Sequence, residues 1–380
     1  MSKFDQIQKV LEEFLAIGPS GCSMTVSRGS DILFQTCVGE IDPETKAPMT
    51  PDAIFRIFSM TKVITCTAAL TLYEKGLYLL NDPISEYMPE FKDMLVCDHT
   101  VRGDEVIRPA KKPITVKDLF TMGTGYPYPS NRSVTGRALM EIDQNQPLRD
   151  YVRAISEVPL CFDPGTHWYY GLSHDILGAF IEVVSGMKFS EYLKKAIFDP
   201  LEMTDTFFRL PPEKAHRLAA MCIHEPNEPI RKAEERPGRY SPDAVYESGG
   251  GGLLSTLGDY TRFTQMLAQN GTRDGVRILG KKTIDLMREN HLNDAQYIDF
   301  TWPYQAGYSY GLGVRTMIDK PYGGCNGSYG EFGWCGAAGT WMFADPSENL
   351  SAVYMHQLSG DNKEAYIHPR LRAMIYGALD

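Results

Sequence analysis

The chain has 380 residues, more than one hydrophobic core usually serves, so two domains or one domain with a large insertion are expected. With 43% hydrophobic and 23% charged residues it has an ordinary globular composition, and a net charge of -10 argues against nucleic acid or an anionic membrane as its main partner. The charges are scattered and the eight cysteines lack close paired spacing, which favours free buried thiols over disulfides or a metal site.

Met1 to Leu11 carries charges where a secretory signal would be apolar, and it reads as an amphipathic helix. No uninterrupted apolar run of about 18 residues occurs, so a cytoplasmic location is the expectation. Cys22 to Ser27 and Ile32 to Val38 read as two strands turned by Arg28-Gly29-Ser30-Asp31, an antiparallel hairpin. The run from Phe55 to Lys62 then leads into Val63, Ile64, Ala68, Ala69, Leu70, Leu72 and Tyr73, with Gly76 as a stop. That is a helix apolar on most faces and therefore buried.

Ser59 and Lys62 stand three positions apart at the root of this helix, so their side chains share a face. A serine hydroxyl is a weak nucleophile until a base takes its proton, and lysine serves as that base only when its pKa is pulled well down. Burial and a helix N-terminus both disfavour the ammonium form, and the same N-terminus offers unpaired backbone N–H groups to an oxyanion. The Ser-x-x-Lys pattern also occurs at Ser185 to Lys188. There it follows the apolar run Ile176 to Val184 and contains Gly186, so it reads as a helix end opening into a turn.

Leu79 to Phe91 is a loop marked by Asn81-Asp82-Pro83 and Pro89. From about residue 92 to 245 helical patterns dominate, at Val116 to Met122, Leu148 to Glu157, His174 to Ser185 and Ser190 to Phe198. Gly249 to Gly252 lacks the remainder of a phosphate-binding loop and reads as a close backbone approach before a helix from Leu257. Tyr310 to Ile318, Gly339 to Ala344 and Leu350 to His356 read as strands, and Glu364 to Leu379 as a closing helix. Strands at both ends around a helical middle imply a discontinuous α/β sheet domain, 1–90 with 245–380, carrying a mainly helical domain over 91–244. The fold class is α+β, an antiparallel sheet flanked by helices.

No Gly-x-Ser-x-Gly elbow is present, since Gly171-Leu172-Ser173-His174-Asp175 ends in Asp, and no histidine stands in a triad signature. The base for Ser59 must then be lysine or tyrosine. Ser59-Met60-Thr61-Lys62, followed by Glu74-Lys75-Gly76-Leu77 and Leu80-Asn81-Asp82-Pro83, resembles the first box of the serine beta-lactamase and penicillin-binding-protein superfamily. The likeness continues in order through Pro164 to Leu172, Gly249 to Thr256 with Asp259, Gly311-Leu312-Gly313, and Gly333-Trp334-Cys335-Gly336, spanning about residues 20 to 375.

Within that superfamily the chain is most similar to the class C-related carboxylesterases, called family VIII, and to their acyltransferase relatives. The resemblance implies that Tyr170 shares a proton with Lys62 and passes it to the leaving group, with Tyr169 as the alternative register. It implies that Trp334-Cys335-Gly336 is the third box, and that the N–H groups of Ser59 and Ala337 form an oxyanion hole. Two departures stand out. Leu172 replaces the asparagine that penicillin-recognising members carry, and Trp334 replaces their lysine. Both put an apolar surface where those members have a polar substrate handle, the bland reading of Trp334 being a core aromatic beside Phe332 and Trp341.

The expectation is hydrolysis of carboxylic esters through an acyl-serine intermediate, with Ser59, Lys62 and Tyr170 catalytic and Trp334, Gly336, Ala337 and Leu172 around the substrate. No metal or cofactor is expected. The partner is a small ester or acyl compound, not nucleic acid or membrane, and oligomeric state is not readable. An acyltransferase, a weak beta-lactamase or D-amino-acid peptidase, and a non-catalytic protein retaining the fold are the rival readings.

Overall fold

The computed structural model describes residues 3–99, 103–225, 228–234, 238–302 and 305–379. Its first strands are β1 (Gly21–Arg28), β2 (Asp31–Asp42) and β3 (Ala47–Pro48). The others come from far downstream: β4 (Tyr308–Tyr310), β5 (Arg315–Met317), β6 (Phe332–Cys335), β7 (Trp341–Asp345) and β8 (Leu350–His356). They form one antiparallel sheet in the order β4-β5-β6-β7-β8-β1-β2-β3. The hairpin β1-β2 is closed onto the C-terminal strands by β1 against β8, where Thr25 pairs with Val353.

Strand alternation divides the sheet into two apolar faces. Cys22, Met24, Val26, Trp341, Phe343 and Tyr354 lie on one face, packed with Ile7, Leu11 and Phe14 of helix α1 (Asp5–Phe14) and with Ile367, Leu371 and Ile375 near the C-terminus. Each such fully buried aliphatic or Phe side chain contributes about 1.5 to 3 kcal/mol. Phe332, Trp334, Met342, Val353 and Met355 lie on the other face, within the larger core. Trp334 and Cys335 are neighbours in β6 and so face opposite ways.

Helix α2 (Thr61–Tyr73) is buried at every residue from Thr61 to Leu72, as its all-round apolar sequence requires. It packs against α3 (Ser173–Ser185), while α4 (Leu257–Ala268) lies across β1, β7 and β8. The Thr256 hydroxyl caps α4 by accepting from the Asp259 N–H. The C-terminal helix α5 (Glu364–Gly377) includes Pro369. Among the described residues no helix is long and apolar enough to cross a membrane.

Two readings need correction, one of a strand and one of the helical stretch. Tyr310 to Ile318 is a hairpin rather than one strand. Gly311 lies where a Cβ would meet the Met287 carbonyl at 2.3 Å, and Gly313 turns the chain at φ 83°. Within the stretch read as helical, Leu95–His99 and Glu105–Pro109 form a further antiparallel pair. Most residues of the second strand are exposed, so no alternating apolar face announced it. Gly249 makes the expected close approach: a Cβ there would stand 2.2 Å from the His174 carbonyl oxygen.

Candidate active site

The short strand Ile54–Arg56 pairs with Leu254–Thr256 and delivers the chain to a single 3-10 turn, Phe58–Met60, just ahead of α2. Ser59 therefore sits in the turn rather than in the helix proper. Phe58 before it has φ 42°, a left-handed backbone that is rare for a bulky residue and stores strain next to the serine.

Lys62 is fully buried on the first turn of α2. Its Nζ donates to Ser59 Oγ at 3.2 Å, to the Tyr128 hydroxyl at 2.9 Å and to the Gly250 carbonyl at 2.5 Å, and it lies 4.6 Å from the centre of the Tyr170 ring. Loss of water around the ammonium pulls Lys62 down to about 7, while the Asp175 carboxylate works in the opposite direction. The amine is thus available as a proton acceptor near neutrality.

Tyr170 closes the other side of the serine. It shares the lining of one cavity with Ser59, and its hydroxyl accepts from the Trp334 indole Nε1 at 3.1 Å. Burial drives the Tyr170 pKa far above its ordinary value, so it is a neutral phenol at physiological pH. Tyr169 points elsewhere: it is 40% exposed, with Phe162 as its aromatic neighbour. Trp334 is buried among Tyr170, Trp302 and Tyr310.

Two cavities flank this group. The smaller, about 270 Å³, is bordered by Ser59, Tyr170, Trp302, Trp334, Gly336 and Ala337. Gly336 lets β6 approach the serine turn, since a Cβ there would lie 2.4 Å from the Ile57 carbonyl oxygen. The larger, about 640 Å³, is reached past Tyr128 and is lined by Leu172, Tyr151, Asp175, Arg239 and Tyr246 among others. Leu172 therefore borders a different cavity from Trp334, Gly336 and Ala337.

Several residues at the site escaped the sequence reading. Tyr128 lies in a Pro-rich loop without periodicity, and only the fold brings it to Lys62. Asp175 had a signal: it is a carboxylate in a helix whose residues from Ser173 to Ile181 are all buried. Arg239 reaches the serine turn from a distant loop, donating to the Gly251 carbonyl at 3.1 Å with its guanidinium 5.7 Å from the Phe58 ring centre.

A family model described as Beta-lactamase matches residues 7–376. An uncharacterized protein of Mycobacterium tuberculosis is 32% identical over 347 residues, covering 89% of this chain and 86% of its own. Esterase EstB of Burkholderia gladioli is 26% identical over 380 residues, covering 94% and 90%. Among solved structures, EstCE1, described as a hydrolase with promiscuous acyltransferase activity, superposes with a TM-score of 0.83 at 22% identity and covers 99% of each chain.

Proposed function

This chain belongs to the beta-lactamase family and is a serine hydrolase; from that premise we propose that it cleaves small carboxylic esters through an acyl-Ser59 intermediate. The observation that carries the proposal is the Lys62 amine, buried, held 3.2 Å from the Ser59 hydroxyl and pulled down to about 7. Neutral Lys62 takes the hydroxyl proton as Ser59 Oγ bonds to the ester carbonyl carbon. The resulting oxyanion is held by the N–H groups of Ser59 and Ala337. Tyr170, kept protonated by burial, gives its proton to the departing alkoxide and recovers one from Lys62. Water then attacks the acyl-enzyme by the reverse proton path, releasing the acid and restoring Ser59.

The apolar wall of Trp302, Trp334 and Tyr170 on the smaller cavity supports a neutral acyl or alcohol group there. Acyl transfer to an alcohol in place of water uses the same intermediate, and the 640 Å³ cavity supplies room for an acceptor. The eight free cysteines support a reducing, cytoplasmic setting. We divide the chain, as its patterning suggests, into a sheet domain of residues 1–90 with 245–380 and a helical domain over 91–244. The decisive experiment is intact-mass analysis after exposure to activated esters, with peptide mapping. One acyl group per chain on Ser59 supports the proposal, and an adduct elsewhere or none at all overturns it.

A further inference from the structure

Asp175 lies in the first turn of α3 and is 1% exposed. One of its oxygens, Oδ1, accepts from the Tyr246 hydroxyl at 2.7 Å, the Ser248 hydroxyl at 2.6 Å and the Gly250 N–H at 3.4 Å. The other, Oδ2, is sealed from solvent and accepts no hydrogen bond. A buried carboxylate oxygen without a donor is costly unless a positive charge stands near it.

That charge is Lys62. The two groups both face the bare α-carbon of Gly250: a Cβ built there would be 2.7 Å from Asp175 Oδ2 and 3.5 Å from Lys62 Nζ. The same glycine accepts from Lys62 through its carbonyl and donates to Asp175 through its N–H. The remaining ionisable groups around Lys62 are not acidic in this sense. Burial raises the pKa of Cys66 on α2, Tyr128 and Tyr170 and so keeps them neutral, Arg239 is a cation, and His174 on α3 is held uncharged by burial.

We propose that Asp175 is the positioning residue of this site, the buried counter-charge of Lys62, acting across a gap that Gly250 keeps open by having no side chain. It borders the larger cavity but not the smaller one at Ser59. Its effect is to keep the ammonium form accessible, so that Lys62 both accepts the serine proton and holds it long enough to return it. The inference rests on Lys62 as the base for Ser59.

The test is the pH dependence of Ser59 labelling by a fluorophosphonate, a readout independent of the natural ester. In Asp175→Asn the remaining oxygen still accepts from Tyr246 and Ser248, so the fold is expected to persist. Without the carboxylate Lys62 loses its proton at lower pH. The acid limb of the labelling rate should then move down by roughly one to two pH units, as for unit charges several ångströms apart in a partly screened interior. Gly250→Ala, which forces a methyl against both charges, should move the limb the same way by less. A merely structural Asp175 would lower the melting temperature and leave the limb in place, and an unmoved limb in either folded variant overturns the proposal. Failure of the wild-type chain to label at Ser59 overturns the ester-cleavage reading itself.

Discussion

The indole Nε1 of Trp334 donates a hydrogen bond to the Tyr170 hydroxyl at 3.1 Å, across 164 positions of sequence. The aromatic in the third box is therefore a polar partner as well as an apolar wall. It fixes which way the phenol oxygen faces, and in the proposed mechanism that oxygen serves both Ser59 and the leaving group. Trp334→Phe keeps the ring and removes the donor. We expect a loss of about 0.5 to 1.5 kcal/mol, some two- to tenfold in kcat, with KM for a short ester little changed. A full loss of activity would show that the indole does more than orient Tyr170.

Ser59→Ala should abolish ester turnover and phosphonate labelling while leaving the thermal transition nearly unchanged, since the side chain is only partly buried in its turn. Calorimetry and mass mapping on one preparation check both halves. Label recovered on Ser173 or Ser185 would reassign the nucleophile.

The pH profile follows from Lys62. In the proposed mechanism the neutral amine is the active form, and with its pKa pulled down to about 7 the value of kcat/KM should rise as pH increases through that region and then level. Lys62→Met should lower kcat by at least about a hundredfold, the lower range for losing a general base. Ordinary activity in that variant would refute the proposed base.

Tyr128 and Tyr170 both adjoin Lys62, but of the two only Tyr170 borders the cavity at Ser59. Tyr170→Phe should therefore reduce kcat far more than Tyr128→Phe, which removes one hydrogen-bond partner of the amine and should cost on the order of tenfold, that of a bond to a charged group. Steady-state kinetics of the two variants on one ester separates the roles, and equal losses would contradict the assignment.

Selectivity should favour neutral esters. A charge-assisted hydrogen bond to a substrate carboxylate is worth about 1.5 to 3 kcal/mol, so lacking one beside Leu172 and Trp334 should cost roughly ten- to 150-fold in discrimination. A short-chain nitrophenyl ester should show the higher kcat/KM against a chromogenic cephalosporin. Equal or better efficiency on the cephalosporin would mean another cation reads the carboxylate. Arg239 is the group to remove in that case.

What the sequence revealed depended on distance along the chain. Ser59 and Lys62 were legible because their partnership is local, three residues apart at the root of an apolar helix. Tyr170 and Trp334 were legible only as members of an ordered set of motifs. Tyr128 and Gly250 reach Lys62 across 66 and 188 positions, and no local pattern records such contacts. The expected sheet emerged where strands are buried nearly throughout, as in β1 and β8. The hairpin at 95–109 did not, because its second strand is largely exposed and carries no two-residue apolar rhythm.

The pairing of β1 with β8 also governs when the molecule can fold. During synthesis the β1-β2 hairpin emerges early with one edge open, and that edge finds its partner only after residue 356 has left the ribosome. Long-range closure of this kind is slow and leaves an unpaired strand exposed to neighbouring chains meanwhile. Trp334 joins Tyr170 within the same late event. A nascent chain halted before β6 thus holds the serine and lysine without Trp334 to line the cavity beside them.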